Sequence, residues 1–298
     1  MIKKGMPQIS VLMPVWNGEC FLAEAIESIL CQTFRDFEFL IVDDGSTDKT
    51  LAIIRKYRDS RIRLHRMDHG GIVQALNFGL KQASARWIAR MDADDVSMPD
   101  RLERQWMAVL RNPRAVLCYT DVEEFGAGHH PGKRARSPRS RAFMALTLCR
   151  RCPISHSTVL FHKQTAIESG SYQANERHAE DFGLWGRMLL AGNFIYISKK
   201  LVRLRKHAAS ISFSHQDIQK KLTYRICLKH VECFMGLKNR HARKVCRVLQ
   251  KNPLGHEQGG WFWFMLICLI RLRWQSPELW AWMLLETLKR ISPFRQNS

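Results

Sequence analysis

The sequence predicts an α/β fold, a mostly parallel sheet flanked by helices, followed by a helical, basic C-terminal extension. Three observations carry that expectation. Short apolar runs alternate with segments of helical hydrophobic spacing through the first half of the chain. Polar residues collect just after each apolar run, where the carboxyl ends of parallel strands would place them together. Beyond Asp217 the pattern turns helical, and Lys and Arg dominate.

Each element has its own justification. Ile9 to Pro14 is a short apolar run ended by proline, and Phe21, Leu22, Ala25, Ile26, Ile29 and Leu30 then recur at helical spacing. Phe37 to Val42 reads as a buried strand stopped by Asp-Asp-Gly. Ser46, Thr47 and Asp48 can cap a helix carrying Leu51, Ile53 and Ile54. Arg61 to Arg66 follows as a third strand, Ile72 to Ala83 as a helix, and Trp87 to Met91 as a fourth strand. Met98 to Arg111 continues as a helix. Gly126 to Arg141 is a basic loop rich in Gly, Pro and Ser. Thr158 to Phe161 is a short strand, Ala179 to Leu190 a turn and helix, and Leu201 to Lys206 the last strand. The expected domains are therefore 1–216, an α/β domain, and 217–298, a Trp-rich helical extension.

Composition narrows the partners. The 298 residues carry a net charge of +20, yet residues 1–124 hold 17 Lys and Arg against 18 Asp and Glu, whereas residues 218–298 hold 15 against 4. Such a tail suits an anionic partner. Its aromatics lie in apolar blocks, as in WFWFMLICLIRLRWQSPELWAWMLLETL, rather than interleaved with cations along a groove. That pattern favours a membrane surface over nucleic acid. The longest purely apolar run, Trp261 to Ile270, is too short to span a bilayer. Nine scattered cysteines, with one CxxC at Cys149 and Cys152, suggest reduced thiols in a cytosolic compartment, and the start of the chain lacks the apolar run of a signal peptide.

The acidic cluster in IARMDADDVSMPDRL needs an explanation. Asp92, Asp94 and Asp95 sit within four residues directly after a buried strand. Like carboxylates at such spacing repel by roughly 1 kcal/mol per pair in water and about 4 at an effective dielectric of 20. A divalent cation accepts hard oxygen ligands and would offset that repulsion, although an isolated DxD is more often a solvated loop.

Together ISVLMPVWNGE, FLIVDDGSTDKT, ALNFG and IARMDADDVSMPDRLERQ resemble the nucleotide-binding half of the family 2 glycosyltransferases, inverting enzymes of the GT-A fold, from about Gln8 to His207. The resemblance is to the bacterial branch that builds surface polysaccharides such as lipopolysaccharide, O-antigen or capsule. It implies transfer of a hexosyl or N-acetylhexosaminyl group from a nucleotide sugar, a UDP-sugar, to a glycan or lipid-linked glycan acceptor. It also implies a Mn2+ or Mg2+ ion, while the start of the chain and the basic, Trp-rich tail lead us to expect a cytoplasmic enzyme held peripherally on the inner face of the cytoplasmic membrane. Carried over by position, Pro14, Val15, Trp16 and Asn17 would line base and ribose, and Asp44 would accept from the uracil imide. Asp92 would bind ribose or a metal-bound water. Asp94 would bind the metal, with His207 of the Arg205-Lys206-His207 element as a further ligand, and Arg205 would meet the diphosphate. Asp95 would orient the sugar or cap a helix, and His156 with Ser157 would lie on the acceptor side. In Glu180-Asp181, Asp181 matches the general base and Glu180 would contact donor or acceptor, where residue pattern alone would favour an acidic pair at a helix N-terminus. One departure stands out: DHGGIVQALNFG has His69 and Gly70 where many relatives carry Asn before the glycine. The alternative from another class is a basic nucleic-acid- or membrane-binding module with an inactive nucleotide site. A nucleotidyltransferase would need a Gly-rich phosphate loop after the first strand, which PVWNGE does not supply.

Overall fold

A computed structural model describes residues 5–126, 138, 140–207 and 216–251. Most of the basic loop expected at Gly126 to Arg141 and all of the Trp-rich segment at 261–288 lie outside the described residues. The chain divides into two compact units, one of residues 1–137 and 154–222, the other of residues 138–153 and 223–298.

The first unit is α/β. Strands β1 (Ile9–Val15), β2 (Phe37–Asp43), β3 (Ile62–Arg66) and β4 (Trp87–Arg90) pair in parallel in the order β3-β2-β1-β4. Every residue of β1, β2 and β4 is buried, as expected of parallel strands covered on both faces. Helices α1 (Leu22–Leu30), α2 (Thr50–Ile54) and α3 (Ile72–Gln82) make the crossovers. Leu22, Ala25, Ile26 and Ile29 form the buried stripe of α1 that joins the core around Val11, Met13, Phe39 and Ile41.

Beyond β4 the sheet is mixed. A two-residue strand, β5 (Val96–Ser97), precedes α4 (Arg101–Leu110), and β6 (Ala115–Phe125), β7 (Leu160–His162) and β8 (Asn193–Arg205) complete the order β3-β2-β1-β4-β7-β6-β8-β5. β7 is antiparallel to β4 and β6, β5 is antiparallel to β8, and β6 runs parallel to β8. The eleven-residue β6 is absent from the sequence expectations, and β8 starts eight residues before Leu201. Both are disguised by charge: register shifts beside Asp121 oppose it to Lys200, so strict alternation fails midway along each strand.

Two buried polar side chains fix the end of β4. Arg101 is wholly buried. Its Nη2 donates to Arg90 O at 2.8 Å and Val159 O at 3.2 Å, and its Nε donates to Gln105 Oε1 at 3.0 Å. Burial, then the neighbouring Arg90 charge, bring its pKa down to about 9. Gln105 Nε2 passes the link on to Thr158 O at 2.8 Å. Strand β4, α4 and the turn before β7 are thereby locked together.

In the second unit, α5 (Arg141–Leu148) begins at Ser140, whose hydroxyl accepts from Phe143 N at 3.2 Å. His230 Nδ1 lies 2.9 Å from Leu148 O, and Arg150 Nε donates to Leu249 O at 3.0 Å. Helix Asn239–Lys251 buries Ala242, Cys246 and Leu249 and exposes Arg240, Arg243, Lys244 and Arg247. No described helix is long and apolar enough to cross a membrane.

Candidate active site

Parallel pairing points the carboxyl ends of β1, β2 and β4 to one edge of the sheet, with Val15 opposite Asp43 and β4 ending at Arg90, opposite Leu12. Pro14 and Val15 are buried in β1, and Val15 O accepts Asp44 N–H at 2.9 Å. Trp16 follows with 55% of its surface exposed. Asn17, at φ 49°, accepts Thr47 N–H on Oδ1 at 2.9 Å and so ties the end of β1 to the β2 turn. Asp48 Oδ1 accepts Thr50 N–H at 2.9 Å at the first turn of α2. Asp44 is buried, and its two carboxylate oxygens accept from Gly70 N at 2.8 Å and Gly71 N at 2.9 Å.

The acidic cluster lies just past β4. Among the described residues, Asp92, Asp94 and Asp95 have ligand oxygens within 4.8 Å of one another. Asp92 Oδ2 takes the Ser157 hydroxyl at 2.7 Å and pairs with the buried Arg90 guanidinium. His207 Nε2 lies 2.9 Å from Asp94 Oδ2. Asp95 Oδ1 accepts Arg205 N–H at 2.9 Å, while its Oδ2 is buried with no hydrogen-bond partner. Burial, then Asp92 and Asp94, push the Asp95 carboxyl up to about 8. Burial and Asp92 also raise Asp94, against the opposing pull of His207. Carboxylates held above their ordinary range, one with an orphaned oxygen, fit a divalent cation with hard oxygen ligands.

Arg205 sits in the same cluster and is held by several neighbours. Its guanidinium lies 4.4 Å from the ring centres of both Phe21 and Phe125, pairs with Glu24, and donates through Nε to Asp94 O at 2.8 Å. This geometry makes it a brace for the acidic loop.

Helix α6 (Glu180–Ala191) carries the second acidic element. Glu180 is buried, and its Oε2 accepts His178 N–H at 2.7 Å, whereas Asp181 is partly exposed and its Oδ1 accepts Phe182 N–H at 2.7 Å. Burial, then Glu180, lift the Asp181 carboxyl to about 7. The charges of Arg90 and Asp92 also reach it, so two elements some ninety residues apart in sequence meet in one site. His156 faces inward: its Nε2 lies 2.9 Å from Tyr172 Oη, its ring is 5.7 Å from Trp185, and burial followed by Arg90 keeps it neutral.

Several contributors escape sequence reasoning. Arg90 is a buried cation at a strand end, Tyr172 joins His156 to the acidic elements, and Arg177 overhangs Gly71 closely enough that a Cβ there would lie 3.5 Å from Cζ. ALNFG proves to be a packing motif. Asn77 exchanges hydrogen bonds with the Tyr172 backbone at 2.8 and 3.1 Å, and a Cβ on Gly79 would strike Leu12.

Comparison with known proteins agrees with this architecture. Residues 10–169, more than half the chain, match the model of glycosyl transferase family 2. The chain is 29% identical over 238 residues to the O-antigen biosynthesis glycosyltransferase WbnJ of Escherichia coli, covering 76% of this chain and 86% of that one. It is 32% identical over 211 residues to an uncharacterized glycosyltransferase of Rickettsia felis, covering 69% of this chain and 34% of that one. This chain therefore spans about a third of that relative, and 65% of a related glycosyltransferase, RP339, of Rickettsia prowazekii. Two solved structures share the fold: S. aureus TarS 1-349 in complex with UDP-GlcNAc, and the mannosyltransferase PcManGT of Pyrobaculum calidifontis in complex with GDP-Man and Mn2+. TarS superposes with a TM-score of 0.64 at 20% identity over 82% of this chain and 72% of that one. PcManGT gives 0.57 at 13% identity over 98% and 89%. With a GT-A sheet, an acidic cluster beyond β4 and a family match across most of the α/β unit, the chain belongs to glycosyl transferase family 2.

Proposed function

We propose that the chain transfers a sugar, with inversion, from a UDP-sugar to a glycan acceptor in cell-surface polysaccharide synthesis. The observation that carries this is Asp181, a carboxyl lifted to about 7 beside the acidic cluster. A group half ionised near neutral pH suits a general base. Asp181 would take the proton of the acceptor hydroxyl as that oxygen bonds to the anomeric carbon and the bond from that carbon to the diphosphate breaks. Buried Glu180 and the network of Arg90, Tyr172 and His156 hold the neighbourhood and tune its charge.

Asp92 and Asp94, with His207, would hold a divalent cation, Mn2+ or Mg2+, which when bound neutralises the departing nucleoside diphosphate. Trp16 offers a flat exposed face for the base, and Asp44 a carboxylate that favours an imide N–H over a carbonyl at the same edge. The relation to WbnJ supports a polysaccharide acceptor, and the ligands of TarS and PcManGT support a nucleotide-sugar donor. Residues 217–298 would attach the enzyme to the inner face of the cytoplasmic membrane, supported by the exposed cations of helix Asn239–Lys251.

Two variants test the assignment. Asp181→Asn should abolish transfer while leaving UDP affinity nearly intact, and Asp94→Asn should weaken UDP binding only when Mn2+ is present. Substantial turnover by the Asp181→Asn protein excludes the base assignment. Binding of RNA in place of UDP would favour a basic binding module instead.

A further inference from the structure

Segment 67–71, which joins β3 to α3, carries an aromatic side chain that the proposed reaction leaves unused. Its backbone is pinned. Met67 N donates to Asp43 O at 2.8 Å, and Gly70 and Gly71 donate to the Asp44 carboxylate. Gly45, at φ +74°, packs against it so closely that a Cβ there would lie 2.8 Å from His69 N. The His69 side chain, by contrast, is 47% exposed. Rotation about its own bonds can move the ring without disturbing the segment.

That ring makes two specific contacts. Nδ1 lies 3.0 Å from Asp44 Oδ2 and 3.1 Å from Asp44 O, two acceptors, so Nδ1 carries the proton. The imidazole also stacks on Trp16, with centroids 4.6 Å apart and planes 25° from parallel. A stack at that spacing leaves no gap for a third ring. Because the Asp44 side chain is only 5% exposed, no ligand reaches its carboxylate while His69 stays in place.

We propose that the His69 side chain is a built-in stand-in for the nucleobase: it closes the base site of the free protein and swings out when a uridine nucleotide takes over its hydrogen bond to Asp44 and its stack on Trp16. The inference rests on the donor-site assignment made above. The imide N–H of uracil and the imidazole N–H are both donors on the edge of a flat ring, so one replaces the other without leaving the buried carboxylate short of a partner. Apparent donor affinity is then the affinity of the open site reduced by the fraction of time the site is open. The gate sets that threshold, and Asp44 sets the choice of base.

Calorimetry on the full chain with Mn2+ tests this, using UDP and inorganic pyrophosphate as probes on the wild type, His69→Ala and His69→Asn. Removing the gate should tighten UDP binding about five- to tenfold in His69→Ala. His69→Asn should show a smaller gain of the same sign, and pyrophosphate affinity should stay constant in both. Unchanged or weaker UDP binding by the variants overturns the gate, the latter because it would make His69 a shelf on which the base stacks. An equal change for pyrophosphate also overturns it, since the effect would not lie at the base. If neither wild type nor variants bind UDP or pyrophosphate, the donor-site assignment itself falls and the gate with it.

Discussion

Asp181 gives the sharpest test, because its protonation can be followed in the rate. An aspartate with the ordinary value near 3.8 is ionised throughout the neutral range, and its pH profile there is flat. The Asp181 carboxyl stands at about 7, raised first by burial and second by Glu180. On that value roughly a tenth of the protein carries the base form at pH 6, half at pH 7 and about nine tenths at pH 8. Since kcat/KM reports the free enzyme, it should rise about tenfold between pH 6 and pH 8 under saturating Mn2+. Glu180→Gln removes one negative neighbour, so its rising limb should move to lower pH while the plateau is retained. Asp181→Asn should lie about 10²- to 10⁴-fold below wild type at every pH. The assay is a nucleoside diphosphate release measurement across pH 6 to 8.5, with UDP affinity measured in parallel to show that the donor site is intact. A flat wild-type profile, or Asp181→Asn activity within fivefold of wild type, would refute the reasoning.

Other consequences follow from the same geometry. Arg101→Met leaves Arg90 O, Val159 O and Gln105 Oε1 without their buried donor, so urea denaturation should show a loss of about 3 kcal/mol, against no measurable change if the guanidinium is dispensable. Asp95 and Asp181 keep their protons to about pH 8 and about pH 7 in the folded chain but release them near pH 4 when unfolded. The folded chain therefore holds the extra protons, and its stability should fall as pH rises. Thermal midpoints compared at pH 7 and 8.5, above the range in which the neutral His156 acts in the opposite sense, should show that fall without metal, with a larger Mn2+ stabilisation at pH 8.5. Rising midpoints without metal would contradict it. Reversing Arg240, Arg243 and Arg247 to Glu should release the protein from anionic vesicles in a cosedimentation assay, each cation contributing about 1 kcal/mol near the surface; unaltered cosedimentation would remove this helix from the membrane interface.

What the sequence makes legible here depends on whether one residue's neighbours in the chain are also its neighbours in space. β1, β2 and β4 are read from their own apolar runs, and the crossover helices from their own spacing, because burial on both faces of a parallel strand leaves a local mark. β6 and β8 fail that test. Their pairing sets Asp121 against Lys200 in a bulged register, and each strand looks half like a loop until its partner is known. The site divides in the same way. Asp92, Asp94 and Asp95 stand out because three carboxylates in four residues are electrostatically costly wherever they fold. Arg205 shows the limit. Its position in the late motif suits a diphosphate contact, but nothing in that motif shows the two phenyl rings and Glu24, drawn from elements up to 184 residues away, that hold the guanidinium. His69 is the converse case, a residue noticed only as a departure from an expected asparagine. Its meaning comes from β1 and β2, which bring Trp16 and Asp44 to the same ring from 53 and 25 residues away. Such an arrangement leaves no periodicity in the sequence, so a chemically capable side chain out of pattern at a strand end is the signal by which its role could be sought.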